Sequence, residues 1–166
     1  MIGAEHRGME LILWRHADAG DPLEDREADL GRRLTTRGRK QSVRVAKWLT
    51  ARLPERYVLL ASPAPRALET AEALGIEPRI DARLAPGASG AQILAAINWP
   101  QGLDGRVRHC IVVGHQPSLG EAASLAITGR AAPWTLRKSS LLWLASRPDD
   151  ASRPPFIRAA IGPDLV

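Results

Sequence analysis

The chain has 166 residues, 45% of them hydrophobic, which suits one domain built on one sizeable core. Its net charge of +5 raises nucleic acid as a partner, but the Arg residues are scattered over the chain with acids interleaved and only 4% of residues are aromatic, so a clustered basic face with stacking platforms is not expected. There is no apolar run of membrane-spanning length and no secretory h-region at the start, and the single cysteine, Cys110, cannot close an internal disulfide, so the chain reads as cytoplasmic with no membrane role.

Residues 1 to 8 read as a disordered leader and residues 9 to 166 as a single domain. The apolar run Met9-Glu10-Leu11-Ile12-Leu13-Trp14 predicts a first strand from about Glu10 to Arg15. A polar loop follows, whose acids Asp18, Asp21, Glu24 and Asp25 are expected to form a solvated surface and not a metal site. A helix is expected from about Thr36 to Leu53, capped by Thr35 or Thr36, with Val43, Ala46, Leu49 and Leu53 as its apolar stripe. Tyr57 to Ala61 predicts a second strand, and Ala64 to Leu74 a helix that Gly75 stops. A weak strand at Arg79 and Ile80 precedes a helix from about Ser89 to Asn98, which Trp99-Pro100-Gln101-Gly102 breaks. His109 to Val113 predicts another strand, Ser118 to Thr128 a helix, and Ser140 to Ala145 and Pro155 to Ile161 two final strands. This alternation argues for an α/β fold, a three-layer α/β/α sandwich on a mostly parallel sheet.

Three strands end on chemistry. The first delivers Arg15 and His16, the second runs into Ser62-Pro63-Ala64-Pro65-Arg66, and the strand ending at Val113 runs into Gly114-His115. Open parallel sheets bind ligands at the carboxyl ends of their strands, so Arg15, His16, Arg66 and His115 are expected to meet there. Helix N-termini after Ser62 and Gly114 add backbone N–H groups and positive dipole ends, and the ligand this favours is an anion, phosphate above all. A neutral imidazole at His16 is a nucleophile for a phosphoryl group that guanidinium groups hold, giving a phosphohistidine intermediate that water hydrolyses. The cationic clamp offsets the charge developing on the phosphoryl oxygens, so neither a metal nor a cofactor is required. Cys110, in an apolar strand, reads as a small buried hydrophobe, and His6 and His109 as surface or partly packed residues.

Leu11 to Ala17, Ser62 to Ala71 and Val112 to His115 together resemble the histidine phosphatase superfamily, which includes the cofactor-dependent phosphoglycerate mutases. Its signature is Arg-His-Gly on the first strand, Ser-Pro-x-x-Arg-Ala-x-x-Thr-Ala after the second, and Gly-His or Ser-His after a later one. Within it, Arg15-His16-Ala17-Asp18-Ala19 and Arg32-Arg33-Leu34-Thr35-Thr36-Arg37-Gly38 are most similar to the SixA-type phosphohistidine phosphatases. The resemblance spans about Met9 to Ala145 and implies a phosphoglycerate mutase-like fold. It also implies phosphate binding by Arg15, Arg32, Arg66 and His115, with Arg33 as the alternative to Arg32.

Two positions depart from the family pattern. Ala17 replaces the glycine after the nucleophile, with little consequence unless that position needs a positive φ. Leu84 is followed by Ala85 and Pro86, where the family's phosphomonoesterases and mutases carry an acidic proton donor. Asp18 is the expected substitute acid, and a site without a strong acid is biased toward P–N bonds, whose imidazole leaves more readily than an alkoxide. About 40 residues separate Ala71 from Gly114, too few for a large inserted lid, so the mouth is expected to be open. The expected partners are a phosphorylated protein such as a phosphotransfer domain and inorganic phosphate or its mimics, with a basic rim steering acidic surfaces inward. The competing readings are a metal-independent phosphomonoesterase acting on a small metabolite and a non-catalytic module that captures phosphoproteins.

Overall fold

Leu11, Ile12, Leu13 and Trp14 are each 0% exposed in the computed structural model, which describes residues 8 to 103, 107 to 147 and 152 to 166. They form β1 (Glu10–Arg15), a strand buried on both faces, which is why its sequence is a continuous apolar run and not an alternation. The other strands are β2 (Val58–Ala61), β3 (Arg79–Ile80), β4 (His109–Gly114), β5 (Leu141–Ala145) and β6 (Phe156–Ile161). The sheet order is β3-β2-β4-β1-β5-β6. β1 pairs parallel to β4, and β2 lies parallel to both β3 and β4, while β5 and β6 run antiparallel at the far side.

Helices cover both faces: α1 (Arg26–Leu30), α2 (Thr36–Thr50), α3 (Pro65–Glu72), α4 (Gly90–Ala96) and α5 (Ser118–Thr128). Ile12, Trp14, Leu59, Ile111, Val113 and Trp143 pack against Val45, Ala46 and Leu49 of α2 and Ala67 and Ala71 of α3. Leu11, Leu13, Leu60, Val112 and Leu144 face the other way, onto Ile93 of α4 and Leu119, Ala122 and Ala123 of α5. Strand period two therefore sends alternate residues into two separate cores, giving the three-layer α/β/α sandwich expected from the sequence. Burying each of these large side chains stabilises the fold by roughly 1.5–3 kcal/mol. Among the described residues no helix is long and apolar enough to cross a membrane.

Two expectations for the helices change. The stripe of α2 is Gly38, Ser42, Val45, Ala46 and Leu49, and Val43 is 59% exposed. The physical reason is at the start of the helix. Thr35 caps it by accepting from the Gly38 N–H (3.0 Å), and a Cβ at Gly38 would lie 2.0 Å from the Asp18 carbonyl oxygen, so this close backbone approach sets the rotation of the helix. The loop after β1, expected to be irregular, contains α1, whose cap Asp25 accepts from the Ala28 N–H at 2.7 Å. α1 buries no residue and so leaves no periodic trace in the sequence. Of the expected leader, residues 1 to 7 lie outside the described residues.

Candidate active site

Backbone pairing continues past the ends of the parallel strands and fixes where their side chains emerge. The His16 N–H donates to the Gly114 carbonyl, the Ser62 N–H to Val113 and the Ser139 N–H to His16, all between 3.0 and 3.1 Å. His16 and His115 are thereby brought together, with ring centroids 5.2 Å apart. Both are buried, as is Arg66, although none is apolar. Arg15 lies half-buried beside them, and its Nη1 donates to the Leu136 carbonyl at 2.8 Å.

His16 Nδ1 lies 2.8 Å from the Ala17 carbonyl oxygen. A carbonyl only accepts, so Nδ1 carries the proton and Nε2 keeps its lone pair. Burial, followed by the Arg66, Arg15 and Arg32 charges, pushes the His16 imidazole down to about 4, while the bond to Ala17 acts in the opposite sense. His115 is pushed down to about 3 by burial, His16 and the same three guanidinium groups. Both rings are neutral at pH 7, and His16 presents a free nitrogen. His115 is held through Nε2 by Ser62 Oγ at 2.8 Å, and Ser62 itself accepts from the Ala64 N–H.

Arg15 Nε, Arg66 Nε and His115 Nδ1 are buried polar atoms without a hydrogen-bond partner. Each such atom costs roughly 1–3 kcal/mol, and the Arg15 and Arg66 charges both act on the His16 and His115 rings. The two Nε–H groups are charged donors, for which an oxyanion is a fitting acceptor.

A family model described as histidine phosphatase superfamily (branch 1) matches residues 11 to 89. An uncharacterised protein of Picosynechococcus sp. is 34% identical over 145 residues, which cover 83% of this chain and 86% of that one. The chain belongs to the histidine phosphatase superfamily. In fold it is close to the protein histidine phosphatase SixA solved with tungstate, at 24% identity, TM-score 0.73, covering 95% of this chain and 99% of that one. It also resembles a mycobacterial glucosyl-3-phosphoglycerate phosphatase solved with VO3, at 21% identity and TM-score 0.63, covering 91% of this chain and 98% of that one.

Ala17, in place of the glycine expected after His16, is accommodated without strain: its φ is not positive, and its N–H donates to Thr70 Oγ1 at 3.0 Å. Thr70 in turn donates to the Arg66 carbonyl at 2.7 Å, tying the segment after β1 to α3. Of the two adjacent arginines, Arg32 turns inward. Its Nε donates to Asp29 Oδ1 at 2.8 Å and its Nη1 to Gly20 at 3.0 Å, with only 13% of the side chain exposed. Arg33 is 73% exposed and pairs with Glu69.

Asp18, the expected substitute acid, is engaged by two neighbours. Lys138 Nζ lies 2.6 Å from its Oδ1, and Thr35 Oγ1 donates to its Oδ2 at 2.7 Å. These two partners hold the Asp18 carboxyl below its usual range, which favours its ionised form and links the end of β1 to the segment leading into β5. Residues missed from the sequence are Asp29, which holds Arg32 by its carboxylate and Arg66 by its carbonyl (3.0 Å), and the pair Ser62 and Thr70. Thr70 stands in the matched motif, which was the available signal; nothing near Asp29 in the sequence marks it out from its acidic neighbours. Cys110 is buried, and burial pushes its thiol up to about 12, as for a packed hydrophobe. His109 packs edge-on to Trp143 beside Glu10, away from the cluster.

Proposed function

We propose that this chain removes the phosphoryl group from phosphohistidine on a protein, through a covalent phosphoenzyme on His16. The observation that carries the reading is the neutral His16, its Nδ1 proton given to Ala17 and its Nε2 free amid Arg15, Arg32 and Arg66. In the first step Nε2 attacks phosphorus as the P–N bond to the substrate imidazole breaks, and that imidazole leaves with a proton from solvent or from its own ring. In the second, water attacks the phosphoenzyme, the P–Nε2 bond breaks, and inorganic phosphate departs. The three guanidinium groups and His115 hold the phosphoryl oxygens, and their charge matches what develops in the transition state. Arg suits the task because its planar fork is permanently charged and donates two bonds at once.

Two features support P–N over P–O substrates. Leu84-Ala85-Pro86 offers no carboxyl where related phosphomonoesterases carry one, and Asp18 is engaged by Lys138. The described part of the connection from α3 to β4 packs as β3 and α4 on the sheet and α5, which supports a site without a large inserted lid. The tungstate and VO3 bound to the two similar proteins support an oxyanion as the ligand.

The test is to mix the protein with a panel of phosphorylated phosphotransfer domains and with alkyl phosphates at matched concentration, following phosphate release. Phosphohistidine is expected to react and alkyl esters to lag far behind. Trapping after exposure to phosphoramidate is expected to place acid-labile phosphate on His16, and His16→Ala to abolish turnover with the fold intact. Label on another residue would sink the mechanism, and equal turnover of alkyl esters would move the substrate to a small metabolite.

A further inference from the structure

A cleft of about 730 Å³ opens beside Arg15, and its lining concentrates charge. Arg37, Lys40 and Arg44 reach it from α2, and Arg137 and Lys138 from the segment before β5. Against these and Arg15 stand only two carboxylates, Asp18 and Asp164, and Asp18 is already taken by Lys138. Elsewhere among the described residues some exposed cations are matched, Arg33 with Glu69, Arg83 with Asp81 and Arg158 with Glu10, and others such as Lys47, Arg56 and Arg130 stand singly; what sets the cleft apart is that its cations share one lining. No salt bridge among the described residues engages Arg37, Lys40, Arg44 or Arg137.

The helix bears a cost for this arrangement. α2 carries Arg37, Arg39, Lys40, Arg44 and Lys47 and no acid, so its like charges repel at three- and four-residue spacing. Its packing needs none of them, since Val45, Ala46 and Leu49 supply the core face. One phosphoryl group at the clamp leaves these cations unused, whereas a second, extended anion would engage them. Val43 adds an apolar contact: exposed on α2, it lines a smaller hollow with Arg39, Lys40 and Arg44. No aromatic ring lines either hollow, so bases would find no stacking platform.

We propose that this cleft and the adjoining face of α2 form a docking groove for an acidic, partly apolar segment of the phosphorylated protein, lying next to its phosphohistidine. The inference rests on the phosphohistidine reading above for the substrate's identity but not for the binding itself. Arg15 belongs to both clamp and groove, so a chain seated in the groove runs directly into the phosphoryl site.

The test uses two fluorescein-labelled peptides of equal length, one of Glu and Leu and the other of Gln and Leu, with binding read by anisotropy. The wild-type protein is expected to bind the Glu peptide at least about tenfold more tightly at about 50 mM salt, and the gap to narrow at about 300 mM as the charges are screened. The variant Arg37→Glu/Lys40→Glu/Arg44→Glu is expected to lose that preference, and Val43→Ser to weaken both peptides together. The triple variant should still turn over phosphoramidate within about threefold of wild type, which also reports that it folds. Equal binding of the two peptides, an unchanged preference in the triple variant, or tighter binding of a DNA duplex to the same residues would overturn the groove. Acid preference in binding with no turnover of phosphoramidate or of phosphohistidine versions of the peptides would leave the groove standing and remove the phosphatase reading.

Discussion

Protonation of His16 is the most direct probe of the site, because its displacement from 6.5 to about 4 depends on burial and on three guanidinium groups contributed by separate elements. At pH 5 a ring of ordinary pKa is only about 3% neutral, whereas one titrating near 4 is about 90% neutral. The folded state binds the proton less well than the unfolded chain, so the stability this ring contributes is fully present above about pH 6.5 and is lost as pH falls toward 4. The shift corresponds to about 3 kcal/mol for this one buried residue. Long-range ¹⁵N spectra of the imidazoles from pH 8 to 3.5, with His16 assigned by its absence in His16→Ala, should show a midpoint near 4 and the Nδ1–H tautomer at neutral pH. Arg66→Gln should raise the midpoint, since the Arg66 charge is the leading electrostatic cause after burial. A His16 midpoint near 6.5, or a proton on Nε2, would refute both the desolvated nucleophile and the role of the Ala17 carbonyl.

The same electrostatics make anion binding pH-dependent: sulfate, which stays doubly charged throughout, neutralises the field that depresses both rings, so binding takes up protons and affinity should rise as pH falls from 7 toward 5, measurable by calorimetry in buffers of different ionisation enthalpy. Thr70→Val removes the acceptor for the Ala17 N–H and should cost roughly 1–3 kcal/mol of stability with weaker sulfate binding, read by urea unfolding and titration. Gly38→Ala forces a Cβ into the Asp18 backbone and should destabilise by roughly 1–3 kcal/mol while lowering turnover, an outcome that an unchanged melting curve would contradict. Asp18→Asn should leave the dependence of rate on leaving-group acidity unchanged if the pairing with Lys138 keeps its carboxylate ionised. A steeper dependence in that variant would restore Asp18 as the acid.

The sequence alone carried the layered α/β architecture and the convergence of Arg15, His16, Arg66 and His115. Both follow from local signals: continuous apolar runs mark strands buried on two faces, and each of the four residues sits within a few positions of a strand's carboxyl end, where the parallel sheet gathers them. Ionisation lay beyond its reach. The depressed pKa of His16 needs the burial and the three arginines assembled around it, and the engagement of Asp18 needs Lys138, 120 positions away along the chain. Arg32 and Arg33 are equivalent as letters, and only the path from α1 into α2 turns one inward and the other to solvent. The rotation of α2 was likewise invisible, because a close contact between Gly38 and the Asp18 backbone overrides a stripe that favoured Val43. The acid-free run of α2 and the distant Arg137 and Lys138 become one predominantly basic cleft in space, since the helix brings positions 37, 40 and 44 to one face and the fold sets Arg137 and Lys138 beside them.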